Sequence, residues 1–255
     1  MKPKVLVNGT LSSTGQVTLD ATDSGLNLGL GVFETLRTYG GELFSLDEHM
    51  DRLGASAMGM GLGEIDLDAV AEELTDAVLH LDREVMVRVT ITGGGTRIVI
   101  VRAIPDVPQP FRCATREFVP PAWLDGSIKH ISRAYSRRSV IDAGVDEVIW
   151  VDSSGALLEG TRSNVFAAVG GTLVTPPVDG RILAGVTRNA LIDVALDADI
   201  PLTIAEIQPN DSIDELYVSS TLKELVAVDE LDGRAGPGPG PLGRALGAAF
   251  RARVG

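Results

Sequence analysis

Amine chemistry has few candidates in this chain. Against 18 arginines there are four lysines, Lys2, Lys4, Lys129 and Lys223. Lys129 sits in Ser127-Ile128-Lys129-His130-Ile131-Ser132-Arg133, between two isoleucines. A strand end there would carry the ammonium inward. Burial, with Arg133 nearby, would then lower its pKa toward that of a reactive amine, as a Schiff-base nucleophile requires. The same segment read without context is compatible with an ordinary surface lysine. Lys2 and Lys4 lie at the N-terminus.

Three further segments carry polar groups at useful spacings. In Leu158-Glu159-Gly160-Thr161-Arg162-Ser163-Asn164-Val165-Phe166, a carboxylate precedes a glycine and a run of hydroxyls and an amide. This suits a tight polar turn between two strands. Glu159 could pair there with a pyridinium nitrogen and keep it protonated; a solvated turn glutamate is the plainer alternative. Leu183-Ala184-Gly185-Val186-Thr187-Arg188 precedes a helical stretch, where free amides and the Thr187 hydroxyl could hold an anion. Val218-Ser219-Ser220-Thr221 ends a strand in three hydroxyls. Arg52, on a helix, could add a bidentate contact to a phosphate. The three histidines, His49, His80 and His130, lack zinc-ligand spacing, and no metal site is expected. The single cysteine, Cys113, has no nucleophile signature around it. Gly59-Met60-Gly61-Leu62-Gly63 follows a helix instead of a strand, so it fails as a dinucleotide fingerprint.

Positioning these groups needs both sheets and helices. Val5-Leu6-Val7 followed by Asn8-Gly9 predicts a strand and hairpin turn, with a return near 16–19. GVFETLRTY, residues 31–39, alternates as a strand does, turns at Gly40-Gly41 and pairs with Glu42-Leu43-Phe44. Ser45 and Glu48 suggest a capping box opening a helix through His49, Arg52, Leu53 and Ser56. A second helix is expected over 66–81, then strands over 84–92 and 97–102 around Gly93-Gly94-Gly95. Pro105, Pro108 and Pro110 mark an extended segment and a domain boundary. Beyond it, helices are expected over 136–143, 187–196 and 242–253, with strands at 147–151, 164–169, 172–175 and 216–219. The mixture reads as α/β (α+β) in two lobes. The first spans residues 1–104, a linker 105–118, and the second 119–255.

Composition limits the partners. Of 255 residues 44% are hydrophobic and 22% charged, ordinary for a globular protein, and the formal net charge is -13. That field disfavours nucleic acid and anionic membranes. No apolar run reaches the length of a membrane span, and one cysteine allows no intrachain disulfide, so a cytoplasmic location is expected.

Four segments in order resemble the class IV (fold-type IV) aminotransferase family: 29–57 (GLGVFETLRTYGGELFSLDEHMDRLGASA), 143–177, 181–191 (RILAGVTRNAL) and 214–233 (DELYVSSTLKELVAVDELDG). The family includes branched-chain and D-amino-acid aminotransferases and aminodeoxychorismate lyase. The resemblance implies a small N-terminal α/β lobe, a larger C-terminal lobe with a barrel-like sheet, pyridoxal phosphate (PLP) as cofactor, and a homodimer. It implies that Lys129 is the Schiff-base lysine. It assigns Glu159 to the ring nitrogen, and Arg52, Val186, Thr187, Ser220 and Thr221 to the phosphate. Phe33 and Arg37 fall on a strand that faces the substrate in the family. Arg88 and Arg97, beside the 93–95 turn, are further candidates for the substrate carboxylate. Lys223 matches no lysine role. One departure is a shorter stretch than the family pattern between Lys129 and Asp146-Glu147.

The expected reaction is amino-group transfer between an amino acid, branched-chain L- or D-, and a 2-oxo acid such as 2-oxoglutarate. The alternatives are the lyase, which eliminates pyruvate, and a PLP-fold protein without catalysis.

Overall fold

Asn8 and Gly9 both take positive φ, 48° and 80°, the geometry of a two-residue hairpin turn. The turn joins β1 (Lys4–Val7) to β2 (Thr10–Leu11), with Val7 opposite Thr10. A two-residue turn returns the chain at once, so the partner is 10–11, and 16–19 is not strand. The computed structural model describes residues 1–118 and 125–255. They divide into two units, Met1–Pro105 with Ile128–Arg133, and Asp106–Ser127 with Ala134–Gly255.

In the first unit, α1 (Ser24–Leu28) precedes β3 (Gly31–Tyr39), β4 (Glu42–Leu43), α2 (Leu46–Gly59), α3 (Leu67–Val78), β5 (Val85–Thr92) and β6 (Arg97–Ala103). The six strands form one sheet in the order β2-β1-β6-β5-β3-β4. Strand alternation sends Val32 and Leu36, Val87 and Val89, and Val99 and Val101 to one face. They pack there with Leu53 of α2 and Leu74 of α3 in a single apolar cluster. Asp66 caps α3, accepting from Ala69 N at 3.0 Å. The capping box expected at Ser45 does not form: Ser45 is left-handed, φ 51° and ψ 47°, and makes no side-chain cap bond. An N-cap hydroxyl reaches the helix amides from extended backbone, which Ser45 lacks.

The second unit contains β7 (Arg112–Glu117), α4 (Ala134–Ala143), β8 (Glu147–Val151), β9 (Leu157–Gly160), β10 (Asn164–Val169), β11 (Thr172–Thr175), α5 (Val186–Asp197), β12 (Leu202–Ile204), β13 (Ile213–Ser220), β14 (Glu224–Ala227), β15 (Glu230–Leu231), β16 (Arg234–Ala235) and α6 (Pro241–Val254). Ten of its strands form one curled sheet, in which β10 pairs with β9, β11 and β13. Phe111, Ile149, Val165, Leu216 and Val218 are among its core residues.

The segment expected as a linker, 105–118, includes β7, which pairs in parallel with β8 and β15. Its sequence, RCATRE, hides a strand: only Cys113 and Ala114 are buried, too short an apolar signal to read. The expected start of the second lobe, residue 119, lies outside the described residues. Residues 128–133 return to the first unit.

Candidate active site

In the first unit the candidates are organised by β3. His130 forms an antiparallel bridge with Val32, so Lys129 stands opposite Phe33. Phe33 N donates to the Lys129 carbonyl at 3.1 Å, Ile131 N to the Gly31 carbonyl at 2.9 Å, and Lys129 N to Ser56 Oγ of α2 at 3.0 Å. The flanking isoleucines seat against glycines: a Cβ at Gly59 would meet Ile128 Cδ1 at 2.8 Å, and one at Gly31 would meet Ile131 Cδ1 at 2.8 Å. This backbone ladder sets the register of Lys129 against β3. The Lys129 ammonium lies 4.8 Å from the Phe33 ring centroid.

Arg52 projects from α2 onto Glu34, a fully buried β3 residue. Its Nε donates to Glu34 Oε1 at 2.7 Å and its Nη2 to Oε2 at 2.8 Å. His49 Nδ1 also meets Glu34 Oε2, at 2.8 Å. Burial would raise the Glu34 pKa, yet the Arg52 charge and the hydrogen bonds from His49 and Arg52 hold it well below the carboxylate range. The His49 pKa is lowered, chiefly by burial. A neutral ring beside an ionised Glu34 places its proton on Nδ1. His49 Nε2 then has no hydrogen-bond partner among the described residues. Glu34 and His49 were not among the sequence candidates. The available signal was a glutamate at a core-facing position between Val32 and Leu36.

The substrate candidates separate by face. Phe33, Arg37 and Arg88 lie on the sheet face opposite the helices, as the β3–β5 register requires. Arg88 Cζ stacks 3.8 Å from the Phe33 centroid. Its pKa is lowered to about 10 by burial, with Arg102 and Arg133 adding repulsion, and it stays cationic at neutral pH. Arg37 pairs with Glu84 and lies 4.2 Å over the Tyr39 ring. Arg97 stands opposite Ile91, on the helix-covered face, where it pairs with Glu73 of α3. The fold therefore groups Lys129, Phe33 and Arg88 around one ring and sets Arg97 apart.

In the second unit the candidates meet at one end of the sheet. Glu159, Asn164 and Ser219 are cross-strand neighbours on β9, β10 and β13. Ser220 ends β13 and Thr221 opens the turn that follows. The start of α5 is tied to the same row. Leu183 N donates to Glu159 Oε2 at 3.0 Å, and Asn164 Nδ2 donates to the Leu183 carbonyl at 2.9 Å. Gly185, the N-cap of α5, supplies no side-chain cap, and a Cβ there would collide with Asn164 Oδ1. Val186 and Thr187 are the first two helical residues, with amides that have no intrahelical acceptor. Arg188 is buried and holds this turn to the end of β11, with Nε on Thr175 Oγ1 at 3.2 Å and Nη2 on the Pro176 carbonyl at 2.8 Å.

Lys223 is engaged elsewhere: its Nζ bonds the buried Glu147 Oε2 at 2.8 Å. The Cys113 thiol, buried and near Glu147, has a raised pKa, which suits no nucleophile.

These residues fit pyridoxal phosphate. A carboxylate oriented by a backbone amide suits the ring nitrogen, and uncapped helix amides suit a phosphate. Ser163 and Ser219, beside Glu159 and Ser220, have buried hydroxyls without a hydrogen-bond partner among the described residues.

The fold is that of the fold-type IV transaminases. The family described as amino-transferase class IV matches residues 31–231, and the chain belongs to it. A Methanocaldococcus jannaschii protein named for branched-chain-amino-acid aminotransferase activity is 33% identical over 91% of this chain and 88% of that protein. The D-alanine aminotransferase of Bacillus licheniformis is 29% identical, over 97% of this chain and 96% of the enzyme. A PLP-bound hypothetical aminotransferase from Mycobacterium tuberculosis superposes with a TM-score of 0.89 at 26% identity, covering 98% of each chain. These relatives favour amino-group transfer over the lyase and non-catalytic readings. Among the described residues no helix is long and apolar enough to cross a membrane.

Proposed function

We propose that the chain transfers the amino group between a branched-chain L- or D-amino acid and a 2-oxo acid such as 2-oxoglutarate, acting as a cytoplasmic homodimer. The names of the M. jannaschii and B. licheniformis relatives support the two donor classes. Bound PLP would supply the electron sink that makes the substrate Cα proton labile. Lys129 Nζ would hold the cofactor and, once released, carry the proton from the substrate Cα to the cofactor C4′, a positioned general acid/base worth roughly 10²–10⁴-fold. Glu159, oriented by Leu183 N, would hold the proton on the ring nitrogen. The Val186 and Thr187 amides, Ser220, Thr221 and the Glu34-bound Arg52 would take the phosphate. Phe33 offers an apolar wall to a branched side chain. Arg37 and Arg88 offer cations to a carboxylate.

The observation that carries this reading is the row Glu159–Asn164–Ser219 joined to the start of α5. The test is borohydride reduction of the PLP-loaded protein followed by peptide mapping. A pyridoxyl mass on the peptide containing Lys129, and loss of both label and transamination in K129A, are expected. Label on Lys223, or activity surviving in K129A, would refute the assignment. Light scattering of the same sample should give twice the chain mass; a monomer would refute the dimer.

A further inference from the structure

Lys223 lies in the turn between β13 and β14, where Ser220 and Glu224 are paired across the hairpin. Glu224 is held in the left-handed region, φ 57°, a conformation that costs a non-glycine residue energy and needs support from its surroundings. Support comes from two ion pairs. Glu224 meets Arg251 of α6 at 3.0 Å, on the outside. Lys223 Nζ meets Glu147 Oε2 at 2.8 Å, with the glutamate fully buried.

The same carboxylate holds a second turn. Glu147 Oε1 accepts from Arg162 N at 2.6 Å and from Thr161 Oγ1 at 3.3 Å, both just after Glu159 and Gly160. Gly160 is needed for this approach, because a Cβ would collide with Ser163 Oγ and lie 2.8 Å from Glu147 Oε1. One buried carboxylate therefore fastens the turn following Glu159 to the turn carrying Ser220 and Thr221. Without Lys223 it would be a buried charge lacking its cation, an arrangement proteins avoid by protonation or rearrangement.

We infer that Lys223 is a positioning residue for the cofactor phosphate: through Glu147 it sets the Ser220–Thr221 turn against the turn that follows β9. The inference rests on the PLP site proposed above. Lys223 touches no reacting atom in this scheme, and its effect falls on affinity for the phosphorylated cofactor.

The test is equilibrium titration of the purified full chain and its variants with PLP and with pyridoxal, which lacks the phosphate, followed by absorbance. K223M is expected to bind PLP about tenfold more weakly while pyridoxal binding changes little. K223R, which keeps the cation, should recover most of the loss. If K223M does not fold, the double variant E147Q/K223M removes both charges; it should fold and show the same selective loss of PLP affinity. Equal weakening toward PLP and pyridoxal would mean a general structural role and would overturn the inference, as would unchanged PLP affinity in a folded variant lacking Lys223. Failure of the wild-type chain to bind PLP would instead overturn the proposed site, and this inference with it.

Discussion

Arginine is abundant in this chain, and what each arginine can do is decided by the face of the strand that carries it. Arg88 and Arg97 flank the same glycine turn and look equivalent in sequence. Arg88 shares a face with Phe33 and stacks on its ring, whereas Arg97 is committed to Glu73 beneath α3. R88A is therefore expected to lower kcat/KM for 2-oxoglutarate roughly 10- to 100-fold, the value of a hydrogen bond to a charged group, and to spare pyruvate. R97A should leave that ratio unchanged and cost ~1–3 kcal/mol of stability by stranding Glu73. Steady-state kinetics with the two oxo acids and urea titrations separate these outcomes. An equal effect of R88A on both oxo acids would remove Arg88 from side-chain recognition. Glu34 shows the converse limit: its position between Val32 and Leu36 was visible in the alternation, but its partners on α2 were not.

At the level of elements, the start of α5 shows how local sequence and long-range packing combine. Gly185 reads in sequence as the entry to a helix. Its necessity comes from Asn164, whose side-chain oxygen occupies the space a Cβ would need. Gly185→Ala should displace Asn164 from the Leu183 carbonyl and weaken PLP binding about tenfold or more, with far-UV circular dichroism unchanged. The tenfold figure corresponds to ~1.4 kcal/mol, about the lower limit for a hydrogen bond to a charged group. Wild-type PLP affinity in this variant would show that the α5 amides do not hold the phosphate. Most helices and strands were legible because period and turn chemistry are local properties. α1, β7, β12, β14, β15 and β16 were not, because such short sequences carry little periodicity.

Across the whole molecule, buried carboxylates in both units govern the response to acid. Glu34 in the first unit and Glu147 in the second are held below the ordinary range, although burial by itself would raise them. The depressed folded-state pKa means that each stabilises the fold fully above the unfolded value, ~4.3, and that this contribution is lost as pH falls below it. His49, lowered chiefly by burial, adds a loss beginning as pH falls through ~6.5, because protonation favours the unfolded chain. Melting temperature should decline from about pH 6.5 and steepen below about pH 4.3. Glu34→Gln should cost about 3 kcal/mol at neutral pH, since it strands Arg52, and should flatten the acid limb. An acid limb as steep as that of the wild type would exclude Glu34 as a source of acid sensitivity.

The sequence by itself determined the family, the order of most elements and the short list of chemical residues, because motifs, periodicity and turn signals are carried by neighbouring positions. Only the tertiary structure decided that 128–133 returns to β3 to present Lys129 beside Phe33, that Arg97 faces the helices, and that Lys223 answers Glu147 from 76 positions away. Those pairings depend on strand register and on where a buried charge finds its counter-charge, and no local pattern encodes either.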